Sequence, residues 1–338
     1  MAAYWRTDLP VLLIHDVDPA WETHEIDEAF AWAQRLEAAM LGEGHSVDVV
    51  PIFVDDLATR LTGYDPDRFI VFNGCEALPG QPHSEAEVAR TLEQMRFAYT
   101  GSPPETIELA WDKPTVKNLL AARGVPTPAW RVFESADPDG WDRFPAIVKP
   151  AREHCSYGVT RDSVVTNPHD LCERIGYVLA TYRQPALVEE FIDGREFHVT
   201  LWGNGLLQML PPAEMDFAAF ADVHDRLCTF DSKHVPGSSH YDLIELKLPA
   251  DLDGDQLRVL EQTACNAYRA VGCRDYARVD VRLTNGTFFV LDINPNSDLG
   301  ADTSTALAAE LVGYSYGALA SRLVNLALLR HPRLLGAL

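Results

Sequence analysis

The chain has no run of about 18 apolar residues, so no segment of it is expected to span a membrane. Its first residues, Met-Ala-Ala-Tyr-Trp-Arg-Thr-Asp, have neither a charged n-region nor an apolar h-region, and no secretory leader is expected. Cysteine is scarce. The six residues Cys75, Cys155, Cys172, Cys228, Cys265 and Cys273 contain no C-x-x-C spacing, which argues against structural disulfides or zinc and for a reduced, cytoplasmic protein. None of the 11 histidines forms a helical H-x-x-x-H pair. Basic residues are few, 28 against 50 acidic, for a net charge of −22. Such a surface should repel nucleic acid and anionic membranes, and neither is expected as a partner. No Gly-x-Gly-x-x-Gly and no P-loop follows any strand-like run, so a dinucleotide fold and a Walker site are both unsupported. Internal repeats and low-complexity segments are also lacking.

What is present is a chain of 338 residues with 47% hydrophobic content, enough for two or three layers or lobes. Val11–Ile14, Val47–Ile52 and Phe69–Asn73 read as buried strands, and the pattern over residues 22–41 predicts a helix stopped near Gly42. This βαβ rhythm predicts a parallel sheet whose ligands gather beyond the strand ends, making the loops after Ile14 and Phe72 candidate substrate walls. Asp112-Lys113-Pro114 starts a helix that runs to Ala122, with Gly124 beyond it. Residues 144–150 form a strand carrying Lys149, residues 168–181 a helix, 186–192 a strand and 196–202 another. Residues 211–242 look irregular, with Lys233 and His234 inside. Residues 255–271 form an amphipathic helix, and 303–330 are helical and apolar enough to close the last domain.

The residues from Ala277 to Pro295 organise the rest. Two β-branched and aromatic runs flank Asn285-Gly286, so the stretch reads as a hairpin. Alternation puts Arg278, Asp280 and Arg282 on one face of the first strand, and Val290, Asp292 and Asn294 on one face of the second. Asp280 can face Asp292 only across a loop of odd length, and the three residues Asn285 to Thr287 supply one. Two carboxylates and an amide oxygen then converge beside an arginine, an arrangement that suits a divalent, oxygen-loving ion such as Mg²⁺ bridged to phosphates. A solvated strand face is the alternative.

Single signals elsewhere are weak. Lys149 on the apolar run Ile147-Val148 must find an anion or snorkel to water, and phosphate is a suitable anion. Glu189-Glu190 could accept hydrogen bonds from an amino group or ribose hydroxyls, or be an exposed charge pair. Cys155, in a polar loop with no evident partner, reads as a small side chain rather than a nucleophile.

The order of these elements is more specific than any one of them. Asp112-Lys113, Val148-Lys149-Pro150, the loop from Arg152 to Val159, Val188-Glu189-Glu190-Phe191-Ile192-Asp193-Gly194-Arg195-Glu196, Lys233, and finally Arg278, Asp280, Asp292 and Asn294 resemble the ATP-grasp superfamily, most closely the D-alanine–D-alanine ligase group, over roughly residues 99–330. The resemblance implies a three-domain α/β ATP-grasp fold. Its N-terminal α/β domain would cover 1–108, its central lobe 109–188 and its C-terminal lobe 189–338, with ATP between the two lobes. It implies an ATP-dependent carboxylate–amine ligase working through an acyl phosphate. Lys113, Lys149 and Lys233 would hold phosphates. The backbone of Glu190, Phe191 and Ile192, beside Glu189, would take adenine, and Glu196 the ribose. Asp280, Asp292 and Asn294 would hold Mg²⁺ or Mn²⁺. Arg278 would stabilise the acyl phosphate and the tetrahedral oxyanion, with Lys233 and Ser156 as further catalytic groups. Small acids and amines, amino acids among them, would be the substrates, and a homodimer is the assembly to test for.

This sequence departs from the group's pattern where substrates would bind. His15-Asp16-Val17-Asp18-Pro19-Ala20-Trp21-Glu22 replaces a glycine-rich Gly-Gly-x-Ser-x-Glu. His154 and Cys155 replace a glycine and a serine, His234 a tyrosine, Ser297-Asp298-Leu299-Gly300 a Pro-Gly-Met-Thr, and Asp292 a glutamate. The nucleotide half is kept and the substrate half rewritten, which predicts a diverged pocket. The acids of residues 15–18, with Glu22 and Asp298, suit an amine-rich substrate. A true D-alanine–D-alanine ligase and a nucleotide-binding protein without turnover are the alternatives.

Overall fold

Short β-branched runs at the front of the chain pair in parallel. Strands β1 (Pro10–Asp16), β2 (Ser46–Ile52), β3 (Ile70–Gly74) and β4 (Ala98–Tyr99) lie in the order β2-β1-β3-β4 in a computed structural model that describes residues 6–331, 333 and 334. The alternation of β1 sends Val11 and Leu13 to one face and Leu12 and Ile14 to the other, and both faces are covered. Helix α1 (Thr23–Glu43) lies on the first face through Leu36 and Met40; it runs past Gly42 and stops at Gly44. On the second face lie α2 (Leu57–Leu61), α3 (Glu85–Gln94) and α4 (Pro104–Trp111).

Helix α5 (Lys113–Ala122) follows, capped by Asp112 Oδ1 accepting from the Thr115 N–H at 3.0 Å. The second sheet is antiparallel. Strands β5 (Trp130–Phe133), β6 (Ala146–Pro150), β7 (Val164–Val165) and β8 (Ala186–Glu190) run in the order β5-β8-β6-β7, backed by α6 (Pro168–Tyr182). Strand β8 continues to Glu190, past the expected division at 188.

The third sheet holds β9 (Arg195–Trp202), β10 (Gln208–Met209), β11 (Ala213–Asp216), β12 (Glu245–Lys247), β13 (Tyr276–Thr284) and β14 (Thr287–Asn294). Its order is β12-β11-β9-β13-β14, with β10 on β9. The stretch expected to be irregular thus contains a strand, β11, and two short helices, α7 (Asp231–His234) and α8 (Ser239–Leu243). Helix α9 (Gly254–Val271) buries Leu260, Ala264 and Tyr268 against this sheet.

The last apolar segment is two helices, α10 (Ser304–Leu311) and α11 (Tyr316–Leu328), broken around Gly313. Instead of closing only the last domain, α11 packs on α1 and the first sheet. Leu323 and Val324 share a core with Leu13, Met40 and Phe72. No helix among the described residues is long and apolar enough to cross a membrane.

Candidate active site

The hairpin of β13 and β14 forms as the sequence predicts, but by a different device. The turn is the two-residue Asn285-Gly286, with φ of 48° and 76°, the left-handed pair that a tight hairpin needs. Thr284 pairs with Thr287 and Val281 with Val290, a register that would set Asp280 opposite Leu291. A bulge at this point shifts the register, so Asp280 pairs with Asp292 and Arg278 with Asn294. The odd residue that parity requires is therefore in the second strand, not in the loop.

Arg278 donates to Asp280 from Nε at 2.7 Å and from Nη2 at 3.0 Å. Asn294 Nδ2 donates to Asp280 Oδ2 at 3.1 Å, which turns its own carbonyl oxygen away from that contact. Burial works against ionisation of Asp280, yet Arg278 holds the carboxyl below its usual range. Asp292 pairs with Lys113, which outweighs the cost of burial and keeps Asp292 strongly ionised. Two ionised carboxylates and an amide oxygen on one strand-pair face make a hard oxygen donor set, and these three residues fit a divalent cation of the Mg²⁺ type.

Facing them is a wall of lysines. Lys149 Nζ lies 2.6 Å from Glu189 Oε2, and Lys117 pairs with the other oxygen of the same carboxylate. Lys117 is 2% exposed and Glu189 1%. Burial, and then repulsion from Lys113, pushes Lys149 down to about 8; burial and Lys149 push Lys117 well below its usual value. In this structure Glu189 is a counter-charge for two lysines. Lys117 escaped the sequence reading. The signal was its place one turn after Lys113, on the same face of α5.

At the far end, the Glu190 and Phe191 N–H groups are committed to Ala129 and Pro145 carbonyls, each at 2.9 Å. Arg282 donates to the Ile192 carbonyl at 2.7 Å and to Glu196 Oε2 at 2.7 Å. These groups are thus already engaged. The loop over the cleft has Cys155, Ser156 and Gly158 at positive φ. Ser156 Oγ donates to the Cys228 carbonyl at 3.1 Å and receives Lys233 Nζ at 3.0 Å, which ties the loop to α7. The side chain of His234 lies outside the described residues. His198, which the sequence reading also missed, pairs with Asp280 across β9 and β13; burial, then Arg278, lowers it to about 4 and keeps it neutral. All the candidate residues except Arg278 and Asn294 line one cleft, and those two adjoin it through Asp280.

The acids expected to favour an amine divide. Glu22 precedes α1, where its N–H donates to Glu25 at 2.8 Å, and Asp18 accepts from the Ala20 and Gly80 N–H groups at 2.8 and 2.7 Å. The Asp18 carboxylate thus serves backbone, in its own loop and at Gly80. Asp16 and Asp298 instead line a second cavity, between the first sheet and the loop after β14.

The family model for the D-ala D-ala ligase C-terminus matches residues 119–325. An uncharacterised protein, y4sG, of Sinorhizobium fredii is 34% identical over 269 residues, covering 79% of this chain and 76% of its own. A D-alanine–D-alanine ligase of Desulforudis audaxviator is 34% identical over 294 residues, 84% of this chain and 89% of the relative, and one of Marinomonas is 32% identical over 254 residues, 74% and 75%. Among solved structures, the Bacillus anthracis D-alanine–D-alanine ligase complexed with ATP superposes with a TM-score of 0.71 at 19% identity, over 95% of this chain and 98% of that one. That last likeness concerns the fold.

Proposed function

The chain belongs to the D-alanine–D-alanine ligase family of ATP-dependent, carbon–nitrogen bond-forming ATP-grasp ligases, and from that premise we propose that it joins a small carboxylic acid to an amine through an acyl phosphate, in a pocket that differs from the family's usual one. The observation that carries this reading is the cleft in which Lys113 and Lys149, backed by buried Lys117, face Asp280 and Asp292, with Asn294 adjoining through Asp280. Lysines supply point charges for phosphate oxygens. The carboxylate oxygen of the acid attacks the γ-phosphorus and ADP leaves. The amine nitrogen, having lost a proton, attacks the acyl carbon, and phosphate departs with its bonding pair. A divalent cation held by Asp280, Asp292 and Asn294 would neutralise charge on the β- and γ-phosphates.

Arg278 is suited to the acyl phosphate and the tetrahedral oxyanion because its planar fork is always charged and is held by Asp280. The apolar side chains of Ile147, Val159, Phe191, Ile192 and Leu291 offer a sleeve for the base, with Glu196 toward the ribose. Ser156 and Lys233 join the loop to the phosphate end, where closure would exclude water from a hydrolysable intermediate.

The relatives named D-alanine–D-alanine ligases support a second reading, in which D-alanine is both substrates. The test is ADP and phosphate release from Mg²⁺-ATP against a panel of acids and amines, D-alanine alone included, with an Asp280→Ala, Asp292→Ala double variant as blank. Release only with an acid–amine pair is expected, and the pair names the substrates. Release with D-alanine alone favours the second reading. Neither nucleotide binding nor turnover across the panel would overturn both.

A further inference from the structure

The cavity between the first sheet and the loop after β14 has a volume of about 340 Å³. Its walls carry six carboxylates, Asp16, Glu25, Glu28, Glu76, Glu85 and Asp298, and neither lysine nor arginine. So many acids around one space repel each other. Glu85 is pushed up to about 8, first by burial and then by Glu76, against hydrogen bonding that lowers it. Glu76 opens onto the water of the cavity yet is otherwise surrounded by protein, and burial, Asp16 and Asp298 push it to about 7. The cavity holds carboxyl groups that lack a cation.

Unpartnered side chains point to a ligand independently of the acids. His15, 2% exposed, has neither ring nitrogen hydrogen-bonded. Asn73 Nδ2 and Ser297 Oγ are buried without a partner as well. A buried polar group left so destabilises the unliganded protein, and a ligand that satisfies it recovers that cost. Burial lowers the His15 pKa and leaves a neutral imidazole, which with Ser297 can accept from an ammonium group. Asn73 Nδ2 can donate to the lone pair of a neutral amine. The space between is aromatic. Trp32 lies against Gly74, where a Cβ would come within 2.3 Å of the indole, and its ring centroid is 6.4 Å from that of His15. Trp21, Phe72 and Tyr276 complete a surface suited to methylene groups and to cation–π contact.

The acids fall in two tiers. Asp16, 7% exposed, and half-buried Glu85 lie deep, whereas Glu25 and Glu28 stand on the exposed face of α1 at the mouth. A zwitterionic amino acid would meet no cation here for its carboxylate. Arg278 does not line this cavity. Tyr276 and Asn296, two residues from Arg278 and Asn294 respectively, line this cavity, which therefore adjoins the phosphate end of the first.

We propose that this cavity binds an aliphatic diamine, with one ammonium at the deep acids, the other at Glu25 and Glu28, and the carbon chain between the aromatic walls. That the diamine is the ligase's amine substrate rests on the reading given under Proposed function; that it binds does not. The test is calorimetric titration of the full chain with 1,4-diaminobutane, n-butylamine and D-alanine, with AMP-PNP titrated separately and ADP release measured with each amine over the acid panel. The diamine should bind at least about tenfold more tightly than butylamine, the size of one charge-assisted contact, and D-alanine should not compete with it. Glu28→Gln, at the exposed mouth where folding is not at risk, should remove most of that preference, and Glu85→Gln should weaken both amines. D-alanine binding more tightly than the diamine, or diamine binding unchanged in both variants, overturns the inference and leaves the ligase reading standing if ADP is still released. Diamine binding with neither AMP-PNP binding nor ADP released from any pair sustains the cation site and overturns the ligase reading.

Discussion

Lys117 and Glu189 show how burial changes what a charged residue is for. A glutamate at a strand end looks available to a ligand, but its two oxygens hold two lysines whose burial and mutual repulsion favour loss of a proton. A carboxylate shared in this way keeps the lysines beside the cleft without a bound anion. Glu85 is the opposite case, a carboxyl with no cation. Its folded pKa of about 8 is above the ordinary value of 4.5, so the folded state holds the proton more tightly than the unfolded state. The stability this contributes is complete below the unfolded value and is lost as pH rises through the interval from 4.5 to about 8. The unliganded protein should therefore melt at a lower temperature at pH 8.5 than at pH 5.5, and Glu85→Gln should shrink that difference. An equal difference in the variant would mean that Glu85 stays ionised at both pH values. By the same linkage a bound diamine should restore stability at high pH, where the acids it neutralises are charged.

At the scale of elements, two close approaches matter most. The bulge in β14 sets Asp292 across from Asp280 when the two-residue turn alone would not. The other is the crossing of α11 over α1. A Cβ on Gly317 would come within 2.4 Å of the Ala39 carbonyl oxygen and 2.8 Å of Glu43 Cγ. The glutamate chain can swing aside, but the backbone oxygen cannot. Alanine gains up to about 1 kcal/mol in helix propensity over glycine, whereas forced overpacking costs about 1–3 kcal/mol, so the clash should win. Gly317→Ala is expected to lower the denaturation midpoint measured in urea. An unchanged or raised midpoint would mean that α11 can shift outwards without loss.

At the scale of the molecule, one buried carboxylate holds three parts of the chain. Asp275, fully buried, accepts from Arg330 Nη1 and Nη2 at 2.6 Å each, from the Gly101 N–H at 2.9 Å and from Asn204 Nδ2 at 2.8 Å. It thereby joins the segment after the first sheet, the third sheet and the residues following α11. Asp275→Asn keeps the size but removes the charge opposite Arg330. Breaking a buried pair from one side costs roughly 3 kcal/mol or more, and the melting temperature should fall by roughly 4 °C or more. A change within about 1 °C would show that water compensates Arg330. Because the active-site hairpin begins at Tyr276, the variant should also weaken nucleotide binding, which AMP-PNP titration would detect.

The sequence by itself determined the elements whose signals are local. The parallel strands, the start of α5 at Asp112-Lys113, the hairpin around Asn285-Gly286 and the order of lysines, arginine and carboxylates can be read from residues close together in the chain, because hydrogen-bonding period, capping and turn conformation depend on near neighbours. The tertiary structure alone decided which charges meet. Lys117 and Lys149 share Glu189 although more than 30 positions separate the lysines, and α11 covers the first sheet as well as meeting the last. Asp18 serves backbone, whereas Glu76 and Glu85, unremarkable in their own segments, stand with Asp16 and Asp298 around one cavity. Desolvation and Coulomb interaction act through space, and their outcome is set by the packing of distant segments rather than by local sequence.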